Sequence, residues 1–119
     1  MPALHDICAL DEIPDQKAKG FTLNSGDKKI DFFIVRKGGK VFGYINSCPH
    51  TGINLDWQQD QFLDLTGYQI QCSTHGALFR IRDGYCTYGP CQGKSLTPVN
   101  LELEDGRIVL SNQALSDND

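Results

Sequence analysis

Two short segments of this chain each place a thiol and an imidazole close together: Cys48-Pro49-His50-Thr51-Gly52 and, 24 positions on from Cys48, Cys72-Ser73-Thr74-His75-Gly76. Thiolate favours soft or borderline metal ions, and imidazole suits iron and zinc alike. The set therefore reads first as a zinc site or as a two-iron cluster. Structural zinc sites usually pair like with like, Cys-x2-4-Cys with His-x3-5-His. Here each segment mixes one Cys with one His, an order that suits two metals.

With a cluster as the premise, the local geometry follows. In an extended Cys48-x-His50 segment, residues i and i+2 point the same way. The short thiolate can then hold an inner iron while the longer imidazole reaches an outer one. Cys72-x-x-His75 would do the same across a tight turn. Gly52 and Gly76 are expected to let the backbone come close enough to donate N–H groups to sulfides.

Cys48-x-His50-x-Gly52 with Cys72-x-x-His75-Gly76 resembles the Rieske iron–sulfur family, in which two histidines replace two cysteines on one iron. A zinc module and a coincidence of buried Cys and His are the alternatives, and the two boxes favour the cluster over both. The resemblance covers most of the chain. It implies an all-β fold, a Rieske-type antiparallel β-sandwich or partly open barrel, with a cluster-binding lobe of two loops spanning about residues 47–92. By the same resemblance the cofactor is a [2Fe-2S] cluster. Cys48 and Cys72 would bind its inner iron, and His50 and His75 its outer iron through Nδ1, with their far nitrogens near solvent. Gly89-Pro90 resembles the family's third loop, which shields the cluster, with Cys91 and Gln92 beside it.

The elements that must position these boxes read as strands and turns. Leu4 to Leu10, Lys17 to Leu23 and Lys29 to Arg36 suit strands, the last with Ile30, Phe32 and Ile34 on one face. Gly38-Gly39 is a good two-residue hairpin connection, and Val41 to Asn46 returns toward the first box. Val99, Leu101 and Leu103 alternate with Asn100, Glu102 and Glu104. Asp105-Gly106 then turns the chain into Arg107 to Ser111, a closing hairpin whose apolar face should join the core. Asp11 to Pro14 suits a turn, because Pro14 disfavours αR in the residue before it. Trp57 to Leu65 is expected to be an irregular or short helical excursion. The stretch from Ile53 to Gln71 is longer than in similar dioxygenase ferredoxins; Trp57 and Phe62 are expected to pack under the cluster lobe while Asp56, Asp60 and Asp64 face water.

At 119 residues the chain is expected to be one domain, helped by a metal centre that staples its loops, with a disordered tail over 115–119. Family oxygenases carry a second iron on two His and a carboxylate. Only His5 is left here once the ligands are assigned, so a resident oxygenase site is not expected, and His5 reads as a surface residue. The net charge of −4 and the lack of any large Lys/Arg cluster argue against nucleic-acid binding. The longest apolar run, Phe32-Phe33-Ile34-Val35, is far below the roughly 18 residues that span a bilayer. The start, Met1 to Asp6, has no basic-then-apolar leader, and a cytoplasmic setting is expected.

The remaining cysteines are Cys8, Cys86 and Cys91. Respiratory Rieske proteins bridge their boxes through an extra pair of cysteines, but those positions here hold Ile53 and Thr74. Cys86 and Cys91 flank a turn that can bring them within bridging distance, although a cytosolic setting favours free thiols. Cys8 reads as a small buried apolar residue.

A two-iron cluster with all its ligands supplied by protein has no open position for a substrate. The expected function is therefore one-electron transfer by a protein with no substrate site of its own. The resemblance points to a stand-alone ferredoxin that takes electrons from an NAD(P)H-dependent, flavin-containing reductase and passes them to an oxygenase or other terminal oxidoreductase. An accessory subunit similar to the small subunit of assimilatory nitrite reductase, or a redox sensor, is the alternative.

Overall fold

The computed structural model describes residues 4–25, 28–47, 62–64, 66–72, 76–89 and 93–111. The base is a sheet of four antiparallel strands in the order β2-β3-β4-β8, formed by β2 (Lys17–Ser25), β3 (Lys28–Lys37), β4 (Lys40–Ile45) and β8 (Pro98–Val99). Its central strand explains the longest apolar run in the sequence. Phe32 and Ile34 point into a core shared with Cys8, Ile13, Ile108 and Leu110. Phe33 and Val35 point the opposite way, into a second core with Tyr44, Phe62 and Phe79. Side chains alternate across a strand, so a strand covered on both faces must be apolar at every position. Lys37 pairs with Lys40 across Gly38-Gly39, with Gly38 at φ 63°, which confirms the two-residue hairpin.

The first core is covered by a three-stranded sheet in the order β1-β10-β9, from β1 (Leu4–Ala9), β10 (Arg107–Ser111) and β9 (Leu101–Glu104). Asp105 and Gly106, at φ 52° and 78°, make the closing hairpin turn, in which both central residues take the left-handed conformation of a type I′ turn. The alternation expected from Val99 to Leu103 holds only in part. Val99 is buried and Leu101 partly so, but Leu103 is 40% exposed, because β9 is the sheet edge and outruns the core beneath it. β1 also ends one residue early: Leu10–Glu12 forms a 3-10 turn, closed where the Glu12 carboxylate accepts a 2.8 Å bond from the Ala9 N–H.

A third antiparallel sheet, β5-β6-β7, is built from β5 (Gln69–Gln71), β6 (Leu78–Arg80) and β7 (Cys86–Tyr88). It is held on the second core of the base. Phe33 stacks on Phe62 with ring centroids 4.3 Å apart and planes 8° from parallel. The three sheets stay separate and do not close into a barrel, so of the two all-β architectures expected, packed antiparallel sheets are the one adopted. No α-helix occurs among the described residues, and no helix is long and apolar enough to cross a membrane. Most of the Trp57 to Leu65 excursion and the tail over 115–119 lie outside the described residues.

Candidate metal centre

Of the four candidate ligands, Cys72 is the one among the described residues; Cys48, His50 and His75 lie outside them. The residues leading into the first box are described. β4 ends at Ile45, whose N–H donates to the Thr97 carbonyl at 2.8 Å, and the Asn46 N–H donates to Asp31 at 2.9 Å. These bonds secure the strand end from which the chain runs through Ser47 into Cys48.

Cys72 follows directly on β5. It has no solvent exposure and belongs to the same apolar core as Phe33, Phe62 and Phe79. Three backbone bonds fix its place. The Gln71 N–H donates to the Phe62 carbonyl at 2.8 Å, the Cys72 N–H to the Ala77 carbonyl at 2.9 Å, and the Gly76 N–H to the Cys72 carbonyl at 2.8 Å. Cys72, where one strand ends, is therefore tied to Gly76 and Ala77, just before another, β6, begins. Sulfur is the donor that a borderline metal prefers, and the apolar core around Cys72 keeps water away from it.

Gly76 has a role of its own in the turn. Its N–H donates to the Cys72 carbonyl, and a Cβ there would meet none of the described residues. Its backbone stands at φ 69°, a region that side chains disfavour and glycine accepts.

Sequence reasoning also missed two features that shape the turn. The first is Asp64. Its Oδ1 accepts from the Thr66 N–H at 3.1 Å, the Thr66 hydroxyl at 2.6 Å and the Gly67 N–H at 3.1 Å. This Asx turn aims the chain into β5, and the Asp-x-Thr-Gly pattern was its available signal. The second is Gly89, at φ 101°, which lies against Ala77: a Cβ on Gly89 would sit 2.8 Å from the Ala77 Cα. Nothing in the sequence links these two positions. Phe62, by contrast, packs as expected, with no exposure; Trp57 lies outside the described residues.

The other cysteines divide as follows. Cys86 is a buried free thiol whose Sγ donates to the Tyr88 carbonyl at 3.3 Å, and Cys91 is outside the described residues. Cys8 is buried as expected, and burial raises the pKa of its thiol.

Residues 3–111 match the Rieske [2Fe-2S] domain. The chain is 28% identical over 104 residues, 87% of its own length and 81% of the relative's, to the ferredoxin component of the p-cumate 2,3-dioxygenase system of Pseudomonas putida. Among solved structures, it resembles the ferredoxin of carbazole 1,9a-dioxygenase from Nocardioides aromaticivorans IC177 (TM-score 0.68, 20% identity, 92% of this chain and 96% of that one). It is similar also to the ferredoxin of Sphingomonas yanoikuyae B1 (TM-score 0.69, 23% identity, 92% and 98%). A chain from a complex of reduced oxygenase and oxidised ferredoxin in carbazole 1,9a-dioxygenase aligns with a TM-score of 0.72 at 20% identity, over 94% of this chain and 95% of that one. The buried Cys72, the packed antiparallel sheets and the match over nearly the whole length lead to one conclusion: the chain belongs to the Rieske [2Fe-2S] domain family, and its cofactor is the [2Fe-2S] cluster of that family.

Proposed function

We propose that this protein is the ferredoxin component of a multicomponent oxygenase system, carrying single electrons from an NAD(P)H-dependent flavin reductase to a terminal oxygenase. The observation that carries the reading is the buried Cys72 with its backbone bonds, within a chain that matches the Rieske domain from residue 3 to 111. Cys48 and Cys72 would hold one iron, and His50 and His75 the other. The bound cluster supplies reversible one-electron chemistry and has no open coordination position. The protein's own residues then have a limited task. They would hold the ligands and keep water from Cys72 through the core around it, and His50 and His75 would mark the side that meets donor and acceptor. The likeness to dioxygenase ferredoxins supports an oxygenase as acceptor, and a carrier of this kind acts in the cytoplasm as one domain.

Protein made under iron-replete conditions should contain iron and sulfide in equal amounts and give a Rieske-type EPR signal on reduction. It should also be reduced rapidly by a flavin reductase with NADH and reoxidised by a Rieske oxygenase in stopped-flow mixing. Stoichiometric zinc without sulfide would overturn the ligand assignment. A cluster that no reductase–oxygenase pair can turn over would overturn the carrier role. Affinity capture of oxidised and reduced protein from its native cell, read by mass spectrometry, identifies the donor and acceptor.

A further inference from the structure

From the contact between Gly89 and Ala77 we infer that Gly89 is a positioning residue for the cluster: it is a backstop that holds Ala77, and through it the backbone of Cys72, in place. The inference rests on the ligand reading above and adds to it a residue outside both boxes.

A Cβ built on Gly89 would meet the Ala77 Cα at 2.8 Å, the Ala77 Cβ at 3.1 Å and the Ala77 N at 3.4 Å. Two of these are main-chain atoms, which cannot rotate aside as the end of a flexible side chain can. Ala77 is itself fully buried, and its carbonyl accepts the Cys72 N–H. The main chain just after β7 thus passes close to Ala77, the residue whose carbonyl accepts the Cys72 N–H.

Which side would yield to an added methyl group is decided by how firmly β7 is held. Tyr88 pairs with Leu78 of β6, the Thr87 hydroxyl lies 3.5 Å from the Leu78 carbonyl, and the buried Cys86 thiol donates to the Tyr88 carbonyl at 3.3 Å. The Cys86 N–H in turn donates to Lys94 at 2.8 Å. With β7 secured on its neighbours, displacement passes to Ala77 and so to the hydrogen bond at Cys72. Small shifts in the supports of a metal ligand alter both the retention of the metal and its electronic environment.

The chain contains a matched control. Gly93 stands at φ 92°, close to the 101° of Gly89, but a Cβ there meets none of the described residues within 4 Å. Alanine at either position costs the same kind of backbone strain, and only at Gly89 does it also push on Ala77.

The experiment compares full-length wild type, Gly89→Ala and Gly93→Ala, each reconstituted with iron and sulfide. The readouts are the bleaching rate of visible absorption under excess EDTA, the midpoint potential and the reduced-state EPR signal. Gly89→Ala should lose its cluster about tenfold faster than Gly93→Ala and show a shifted potential and EPR signal, while Gly93→Ala stays with the wild type. Equal bleaching rates and potentials in the two variants would overturn the inference. Should Gly89→Ala give no folded protein, Ala77→Gly removes the one side-chain atom of that contact, the Ala77 Cβ, without adding an atom. It should speed bleaching several-fold and shift the potential, and wild-type values in both would overturn the inference. Iron and sulfide in the wild type are measured first. A wild type that holds no cluster refutes the ligand reading, whereas an intact wild-type cluster with indifferent variants refutes the backstop alone.

Discussion

The Tyr44 hydroxyl donates a 2.6 Å hydrogen bond to the Ile81 carbonyl, tying β4 of the base to the turn between β6 and β7 of the cluster-side sheet. Gly84 lies against the same ring, where a Cβ would meet Cε1 at 2.8 Å. Tyr44→Phe keeps the ring and strands the carbonyl. Loss of a buried partner of this kind costs about 1–3 kcal/mol, so urea unfolding should show a loss in that range; an unchanged midpoint would mean that water reaches the Ile81 carbonyl.

The same tyrosine gives the alkaline limit of stability. Burial, with a smaller contribution from Asp83, pushes its pKa up to about 12. A folded pKa above the unfolded value of about 10 means that the folded state holds the proton more tightly. The stability this provides is complete below about pH 10 and is lost as pH rises toward 12. Wild type should weaken across that window in denaturant titrations, and Tyr44→Phe should weaken less steeply there.

Phe62 carries the chain out of the segment between the two boxes and onto Phe33, with no exposure and a parallel stack. Phe62→Ala should cost about 3–5 kcal/mol, as large-to-small changes of buried aromatics do. Because the Phe62 carbonyl also receives the Gln71 N–H beside Cys72, the variant should bleach faster than a Phe32→Ala control in the other core. Equal bleaching would separate the stability of the core from the hold on the cluster.

At the acid end, Asp6 and Asp83 should respond differently to loss of their arginines. The 2.8 Å hydrogen bond from Arg107 holds the Asp6 carboxyl below the usual carboxylate range. For Asp83 the Tyr85 N–H is the main cause and Arg80 the second. Both carboxylates favour the folded state above the unfolded pKa, and the effect fades as pH falls through the lowered one. In an NMR titration Arg107→Gln should return Asp6 most of the way to its ordinary value, while Arg80→Gln should leave Asp83 lowered. Equal recoveries would contradict the assignment of the Tyr85 N–H as the main cause.

Redox poise follows from what surrounds Cys72. Ala77 and Phe79 are fully buried and neither side chain can donate a hydrogen bond. Without such donors the more negative, reduced cluster is less stabilised, and the midpoint should lie near the low end of the Rieske range, roughly −150 mV. Ala77→Ser with Phe79→Tyr should raise it in protein-film voltammetry; a wild-type midpoint above about +100 mV would show that other donors set the poise.

Much of this molecule was written in local chemistry. The mixed Cys/His boxes point to a cluster because ligand type and spacing are properties of a few consecutive residues. The hairpins at Gly38-Gly39 and Asp105-Gly106 are equally local, since a left-handed turn demands residues that tolerate it. Other features depend on pairs that are distant along the chain. Phe32-Phe33-Ile34-Val35 is one apolar run in sequence, and only the two sheets packed on either face of β3 divide it between two cores. Leu103 fits the alternation of its strand perfectly, yet the position of β9 at a sheet edge leaves it in solvent. Gly76 and Gly89 look alike as residue types. The fold gives one a hydrogen bond to Cys72, and it sets the other so close to Ala77 that a Cβ would meet its main chain. A sequence specifies what each residue can do, but contact depends on which strands the hydrophobic cores bring together, and that is decided by the chain as a whole.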